Sequence, residues 1–316
     1  MANRPIYAGS YQNHRRSRVK VIFIIIVLVH VFAVGAYMLF RPDKPEAHAD
    51  GETPAPESLA PAPAAVETVP PAIATTASLP ETRAMVADAR SAIEAGQLAD
   101  AQAILAKSTA GQPDPEAIKL LGEVNMKLLK SPLMMQDKEY YVIQSGDYLQ
   151  KIAKKYNTTV ALLKTMNGLE SDTIRLGDRL LVFNGNFSIL VSKSRNELDL
   201  MHGGTLFKRY RVGTGKFGKT PAVEFTLVDK IVEPPWTRPT DNRQIEYGDP
   251  ENVLGSRWMA IKSTDHPELT GFGIHGTWER DSIGKQSSAG CIRMLNEDVE
   301  ELFDLVPRKT SVTISE

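Results

Sequence analysis

The sequence has a single cysteine, Cys291, among 316 residues. A lone thiol cannot form an intramolecular disulfide, so no disulfide framework holds this fold. The formal net charge of −1 provides no bulk attraction to polyanions, and nucleic acid is not an expected partner. Metal-binding patterns are missing too. No His-Glu-x-x-His run occurs, and His202 and His266 have no ligand spacing with His275 or Cys291. This speaks against a zinc peptidase, and neither metal nor cofactor is expected. Asp and Glu are absent from residues 1–20, and large apolar side chains nearly vanish between Pro42 and Pro80. Both of these absences mark segments.

Residues 1–20 form a basic tail with Arg4, Arg15, Arg16, Arg18 and Lys20. Val21 to Phe40 follows without a formal charge, and His30 is its only strongly polar member. At 1.5 Å per residue such a helix spans about 30 Å, the thickness of a hydrocarbon core. The basic flank places the N-terminus in the cytoplasm and the rest of the chain outside. Ala47-His48-Ala49 offers a signal-peptidase pattern, but it lies far beyond an apolar run that is long for a signal core. A retained transmembrane helix over 21–40 is therefore the expectation. Residues 41–80, rich in Pro, Ala, Glu and Thr, read as an extended linker.

Over residues 81–130 the apolar period becomes 3.6. Met85, Ala89, Ala92 and Ile93 form one stripe, Leu98, Ala101, Ile104 and Leu105 a second, and Ile118, Leu121, Val124 and Leu128 a third. Three short helices are expected. The run AIEAGQLADAQAILAK resembles the small-residue register of a tetratricopeptide repeat. Too few units are present to bury a solenoid core alone. Two readings stay open: a helical spacer that packs on a neighbour, or a module that docks a protein partner.

Residues 139–184 predict β-α-α-β. Tyr140 to Gln144 alternate as a strand, Gly146 turns the chain, and Asp147 is a candidate helix cap. Leu149, Ile152, Ala153 and Tyr156 face inward on the first helix. Thr158 or Thr159 caps a second helix that stops at Asn167-Gly168, and Arg179 to Phe183 closes the module. Tyr141-Val142, Gly146-Asp147, Leu149, Ile152-Ala153, Asn167, Ile174, Gly177 and Leu180 resemble the lysin motif, LysM. That resemblance implies binding of N-acetylglucosamine-containing glycans such as peptidoglycan, with Gly146, Asp147, Tyr148 and Asn167 as candidate contacts. Tyr148 stands where the family usually has Thr or Ser.

Residues 186–316 read as a mainly antiparallel β domain. Strand-like segments are Phe187–Val191, Glu197–Met201, Thr205–Val212, Glu224–Val232, Trp258–Ile261 and Val312–Ile314, with a late helix over Glu297–Val306 capped by Asn296. Cys291 and His275 both lie among small residues, in GIHGT and SSAGC. A thiol attacks as the thiolate, and an imidazole can take its proton. Glycines beside a nucleophile let backbone N–H groups approach a developing oxyanion.

VGTGKFGKTP (Val212 to Pro221), GDPENVLGSRW (Gly248 to Trp258), GIHGT, SSAGCIRM and the following Asp298 are together similar to the catalytic domain of the L,D-transpeptidases of bacterial cell walls. The resemblance implies Cys291 as nucleophile, His275 as general base, and the Gly276 carbonyl as the group orienting that imidazole. It also implies an oxyanion region at the N–H groups of Cys291 and Gly290. Ser288 would shape the loop by hydrogen bonds, Arg293 would bind a substrate carboxylate or brace the loop, and Trp278 would contact substrate. Trp236, Trp258 and Trp278 are candidates for lining a cleft, with core packing favoured for Trp258. The chain departs from the usual pattern at Ala289, where many members have His, and after Thr220-Pro221, where a Gly is usual.

The expected fold class is therefore multidomain: a transmembrane helix, a short helical segment, a βααβ LysM module and a C-terminal mainly-β catalytic domain. The implied function is transpeptidation of peptidoglycan stem peptides to 3→3 cross-links through a cysteine acyl-enzyme. Glycan strands would be held by the LysM module and the membrane by the N-terminal helix. The alternatives are an L,D-carboxypeptidase, with water as acceptor, or a non-catalytic wall tether.

Overall fold

The structure, a computed structural model, describes residues 79–109 and 114–316. The expected basic tail, the transmembrane helix over 21–40 and the linker as far as residue 78 lie outside the described residues. Among the described residues no helix is long and apolar enough to cross a membrane.

Three helices come first: α1 (Leu79–Glu94), α2 (Leu98–Thr109) and α3 (Pro115–Lys130). Asp114 starts α3 by accepting the Glu116 N–H at 2.7 Å, with proline at the first helical position where no N–H is needed. Ala89, Ala101, Leu105, Leu121 and Val124 fill the space between the helices.

The βααβ module is β1 (Lys138–Val142), α4 (Leu149–Lys155), α5 (Val160–Asn167) and β2 (Arg179–Phe183), with β1 and β2 antiparallel. Thr159 caps α5 by accepting the Leu162 N–H at 3.0 Å, and Gly168 ends it in the left-handed conformation that a side chain disfavours. Asp147, expected to cap α4, does not. Tyr148 occupies the cap position without a side-chain bond, because the Asp147 carboxylate is already engaged within the preceding turn.

The remaining chain forms β3 (Phe187–Ser192), β4 (Glu197–His202), β5 (Thr205–Arg211), β6 (Thr214–Gly215), β7 (Glu224–Val232), β8 (Trp236–Thr237), β9 (Gln244–Ile245), β10 (Arg257–Lys262), β11 (Gly273–Thr277), β12 (Gln286–Ser288), β13 (Ile292–Leu295), α6 (Asn296–Leu305) and β14 (Ser311–Ser315). One eight-stranded sheet runs β13-β11-β10-β7-β14-β3-β4-β5. The expectation of a mainly antiparallel sheet needs qualification, since β14 lies parallel to β3 and β11 parallel to β13. Such pairs need long connections, so adjacent segments in sequence do not reveal them. Leu295, not Asn296, is the cap residue of α6, because the Asn296 side chain is drawn to the Ser256 N–H of a distant loop.

The successive segments share one core. Met126 and Leu129 of α3, Leu162 and Met166 of α5, and Leu181 and Phe183 of β2 pack with Ile189, Leu198, Phe225, Met259 and Ile274 of the large sheet. Full burial of one such leucine contributes about 2 kcal/mol. Polar contacts set the register. Asn125 Nδ2 donates to the Phe207 carbonyl at 2.8 Å. The Lys138 ammonium donates to the carbonyls of Leu128, Ser131 and Leu133 at 2.6, 2.7 and 3.0 Å, satisfying the end of α3. Burial lowers the Lys138 pKa to about 8. The helical segment thus packs on its neighbour.

Candidate active site

His275 sits at the centre of β11, between Trp258 of β10 and Arg293 of β13 in the strand registers. It is 3 % exposed, and its ring packs against Trp258 with centroids 5.8 Å apart. Its Nδ1 lies 2.6 Å from the Gly276 carbonyl oxygen, which also accepts the Gly255 N–H at 3.0 Å. A carbonyl can only accept, so Nδ1 carries the proton and the Nε2 lone pair is left for chemistry. Burial lowers the His275 pKa to about 4, opposed by the bond to Gly276, so the imidazole is neutral at physiological pH.

The orienting carbonyl depends on glycine. A Cβ on Gly276 would come within 2.1 Å of Asn296 Oδ1, which is held by the Ser256 N–H at 3.0 Å. Three separate segments therefore converge behind the histidine, at 255–256, 276 and 296.

Cys291 lies between β12 and β13. Ser288 Oγ donates to the Cys291 carbonyl at 2.6 Å and accepts the Gly290 N–H at 3.1 Å. The Gly290 N–H is therefore engaged within the loop, which corrects its expected place as a free donor in the oxyanion region. Gly290 has φ of +145°, and a Cβ on it would lie 2.9 Å from the Phe272 ring. The sulfur is 3.6 Å from the Gly271 carbonyl. Burial pushes the thiol pKa up, partly offset by the Gly273 N–H and the nearby Arg293 guanidinium. His275, Cys291, Ser288, Gly290 and Arg293 all line one cavity of about 490 Å³, whose apolar wall includes Trp236 and Trp258.

A family model described as the L,D-transpeptidase catalytic domain matches residues 186–314, and a LysM domain model matches 141–183. The Bacillus licheniformis protein YkuD, provisionally named an L,D-transpeptidase, is 34% identical over 183 residues, covering 55% of this chain and 98% of that one. Bacillus subtilis YqjB, named in the same provisional way, is 38% identical over 135 residues, covering 42% and 73%. The solved catalytic domain of an E. faecium L,D-transpeptidase aligns at 24% identity and a TM-score of 0.33, covering 41% of this chain and 96% of that one. This chain belongs to the L,D-transpeptidase family.

In this L,D-transpeptidase family member, Arg293 donates from Nη1 to Glu279 at 2.8 Å and keeps its buried Nε unpartnered. Trp278, expected to contact substrate, is not among the cavity-lining residues. Its ring is half-exposed and stands 6.1 Å from that of Tyr247. Trp258, for which core packing was favoured, lines the cavity instead. A tryptophan's side depends on strand register and loop path, which a motif does not encode.

The four LysM candidates also divide. Gly146 takes φ of +80° at the turn, and Tyr148 is exposed. Asp147 accepts from the Tyr141 hydroxyl at 2.6 Å, the Gln144 N–H at 2.9 Å and the Lys151 ammonium at 3.0 Å. The Tyr141 hydrogen bond is the largest cause that lowers the Asp147 pKa to about 2, and its counterpart raises Tyr141 to about 12. Asn167 donates to the Leu163 and Leu181 carbonyls and accepts the Leu181 N–H, all at 2.7–2.8 Å. Asp147 and Asn167 are therefore braces rather than free glycan ligands.

Sequence reasoning passed over Asn296, Thr220 and Gly255. Thr220 Oγ1 donates to the Gly290 carbonyl at 2.7 Å and accepts the Gly215 N–H at 2.8 Å, tying VGTGKFGKTP to the nucleophile loop. Its place in VGTGKFGKTP was the available signal; Asn296 carried only the misleading signal of a helix cap.

Proposed function

We propose that the protein is a cysteine acyltransferase that forms 3→3 cross-links between peptidoglycan stem peptides. The observation that carries this reading is the 2.6 Å contact of His275 Nδ1 with the Gly276 carbonyl, which leaves Nε2 as a base in a cavity shared with Cys291. The two domain types point to peptidoglycan as the partner, with glycan strands at residues 139–184 and stem peptides at the catalytic domain, 186–316. The apolar run over 21–40 supports a single-pass anchor with a cytoplasmic N-terminus, residues 41–80 a tether, and an extracytoplasmic site.

In the resting site burial disfavours both charged forms, so His275 is neutral and Cys291 is a thiol. Proton transfer from sulfur to Nε2 then accompanies attack on the carbonyl that joins the diamino acid to the terminal D-alanine. The C–S bond forms and the oxyanion is met by the Cys291 N–H, a donor typically worth ~10²–10³ in rate. The C–N bond breaks, and D-alanine leaves with the proton from the imidazolium. In the second half the side-chain amine of another stem attacks the thioester and its proton passes to Nε2. The C–S bond breaks, and the sulfur takes the proton back as the thiol.

Incubating the full-length protein with tetrapeptide muropeptides and separating the products tests the reading. Dimers with a 3→3 bond and released D-alanine are expected. Tripeptide alone would make the protein a carboxypeptidase, and no turnover, with no carbapenem adduct on Cys291, would leave a wall tether.

A further inference from the structure

A cross-linking site must hold two stems, one acylating Cys291 and one attacking the thioester. We propose that Phe217, with the ammonium groups of Lys216 and Lys219, is a platform for the acceptor stem; the inference rests on the cross-linking reading above.

Phe217 has φ of +53° and ψ of 37°, left-handed values that are an outlier for a bulky residue, and it is 92 % exposed. A lone exposed apolar side chain is ordinary. An aromatic that is both strained and unburied is not, because neither backbone energy nor burial favours it there. Such strain is concentrated at functional sites.

The loop carrying Phe217 is fixed to the nucleophile loop. Thr214 and Gly215 of β6 pair in parallel with β12. Gly215 packs so tightly that a Cβ on it would lie 2.9 Å from Gly290 Cα. The Thr220 hydroxyl bridges Gly215 and Gly290 by its two hydrogen bonds. Phe217 is thus carried on a loop held at both ends against Gly290, the neighbour of Cys291, yet it lies outside the lining of the cavity.

Lys216 and Lys219 lie one residue before and two residues after Phe217, both exposed and without an ion-pair partner among the described residues. A stem peptide matches this surface. Its carboxylates meet the two ammonium groups, and its aliphatic amine-bearing side chain lies on the ring face.

The test uses the full-length Cys291→Ala protein and a stem tripeptide, which lacks the terminal D-alanine and serves only as acceptor. Titration calorimetry is expected to show saturable binding, weakened roughly tenfold by Phe217→Asn and by Lys216→Glu with Lys219→Glu. Asparagine takes positive φ more easily, so the melting temperature of Phe217→Asn is expected to be no lower than that of its parent. With Cys291 restored, the same changes shift products from dimer toward tripeptide. Equal affinity in parent and Phe217→Asn, or no saturable binding by the parent, overturns the platform. A parent that binds tripeptide through Phe217 but yields no dimers sinks the cross-linking reading and leaves a stem-binding platform standing.

Discussion

The LysM module and the catalytic domain each carry polar motif residues, and the structure uses them in opposite ways. In the small module, Asp147 and Asn167 engage backbone and neighbouring side chains on both of their polar ends. In the catalytic domain His275 uses only Nδ1, and Nε2 has no hydrogen bond among the described residues. A polar motif residue whose bonding capacity is exhausted internally is a brace. One held at a single atom in a cavity wall is available for reaction. Ser288 falls between: it lines the cavity, while its hydroxyl links the Cys291 carbonyl to the Gly290 N–H and shapes the loop.

The sharpest way to break this contrast is at the nucleophile. Cys291→Ala should lower stem-peptide turnover by ~10⁴-fold or more, measured as D-alanine release, with little change in melting temperature. Residual turnover near the parent's would move the chemistry elsewhere. Next is Gly276→Ala. Its Cβ meets Asn296 Oδ1, so the imidazole shifts, and a displacement of this kind lowers rate by about 10²-fold. Unchanged kinetics of thioester formation would show that the carbonyl does not orient His275.

Acid separates the two regions further. His275 has a folded pKa near 4, below the ordinary 6.5, so the unfolded chain binds its proton first as pH falls. Stability is then full above about pH 6.5 and declines toward pH 4, by roughly 3 kcal/mol in all. Denaturant titrations should show this slope flattened in His275→Asn. For Asp147 the folded pKa near 2 lies below the ordinary 3.8, so its contribution is present above about pH 4 and is lost only as pH falls toward 2. The smallest effect belongs to Asn167→Ala. Loss of its hydrogen bonds should reduce unfolding free energy by about 2 kcal/mol and leave the affinity of the folded protein for N-acetylglucosamine oligomers unchanged. Weaker binding at intact stability would make Asn167 a ligand and erase the contrast.

Much of this arrangement was legible in the sequence. The β-α-α-β order, the bounds of the strand from Glu224 to Val232, the late helix and the Cys291/His275 pair all follow from local period and motif spacing. Strand β11 did not, because Gly273 to Thr277 is buried throughout and shows no alternation to read. Asp147 and Asn296 looked like helix caps because a short polar residue before an apolar stripe usually is one. Tyr141 and Gln144 claimed the first, and the Ser256 N–H the second.

The sequence by itself determined which elements form, in what order, and which thiol and which imidazole the chain offers. Period, caps and motif spacing act between near neighbours, and they are written in the sequence directly. Tertiary structure decided the tautomer of His275, the engagement of the Gly290 N–H, and the exchange of Trp278 for Trp258 at the cavity wall. Each of these depends on a donor, acceptor or ring brought in by strand pairing from a remote part of the chain, where hydrogen-bond direction is set by the fold and not by adjacency.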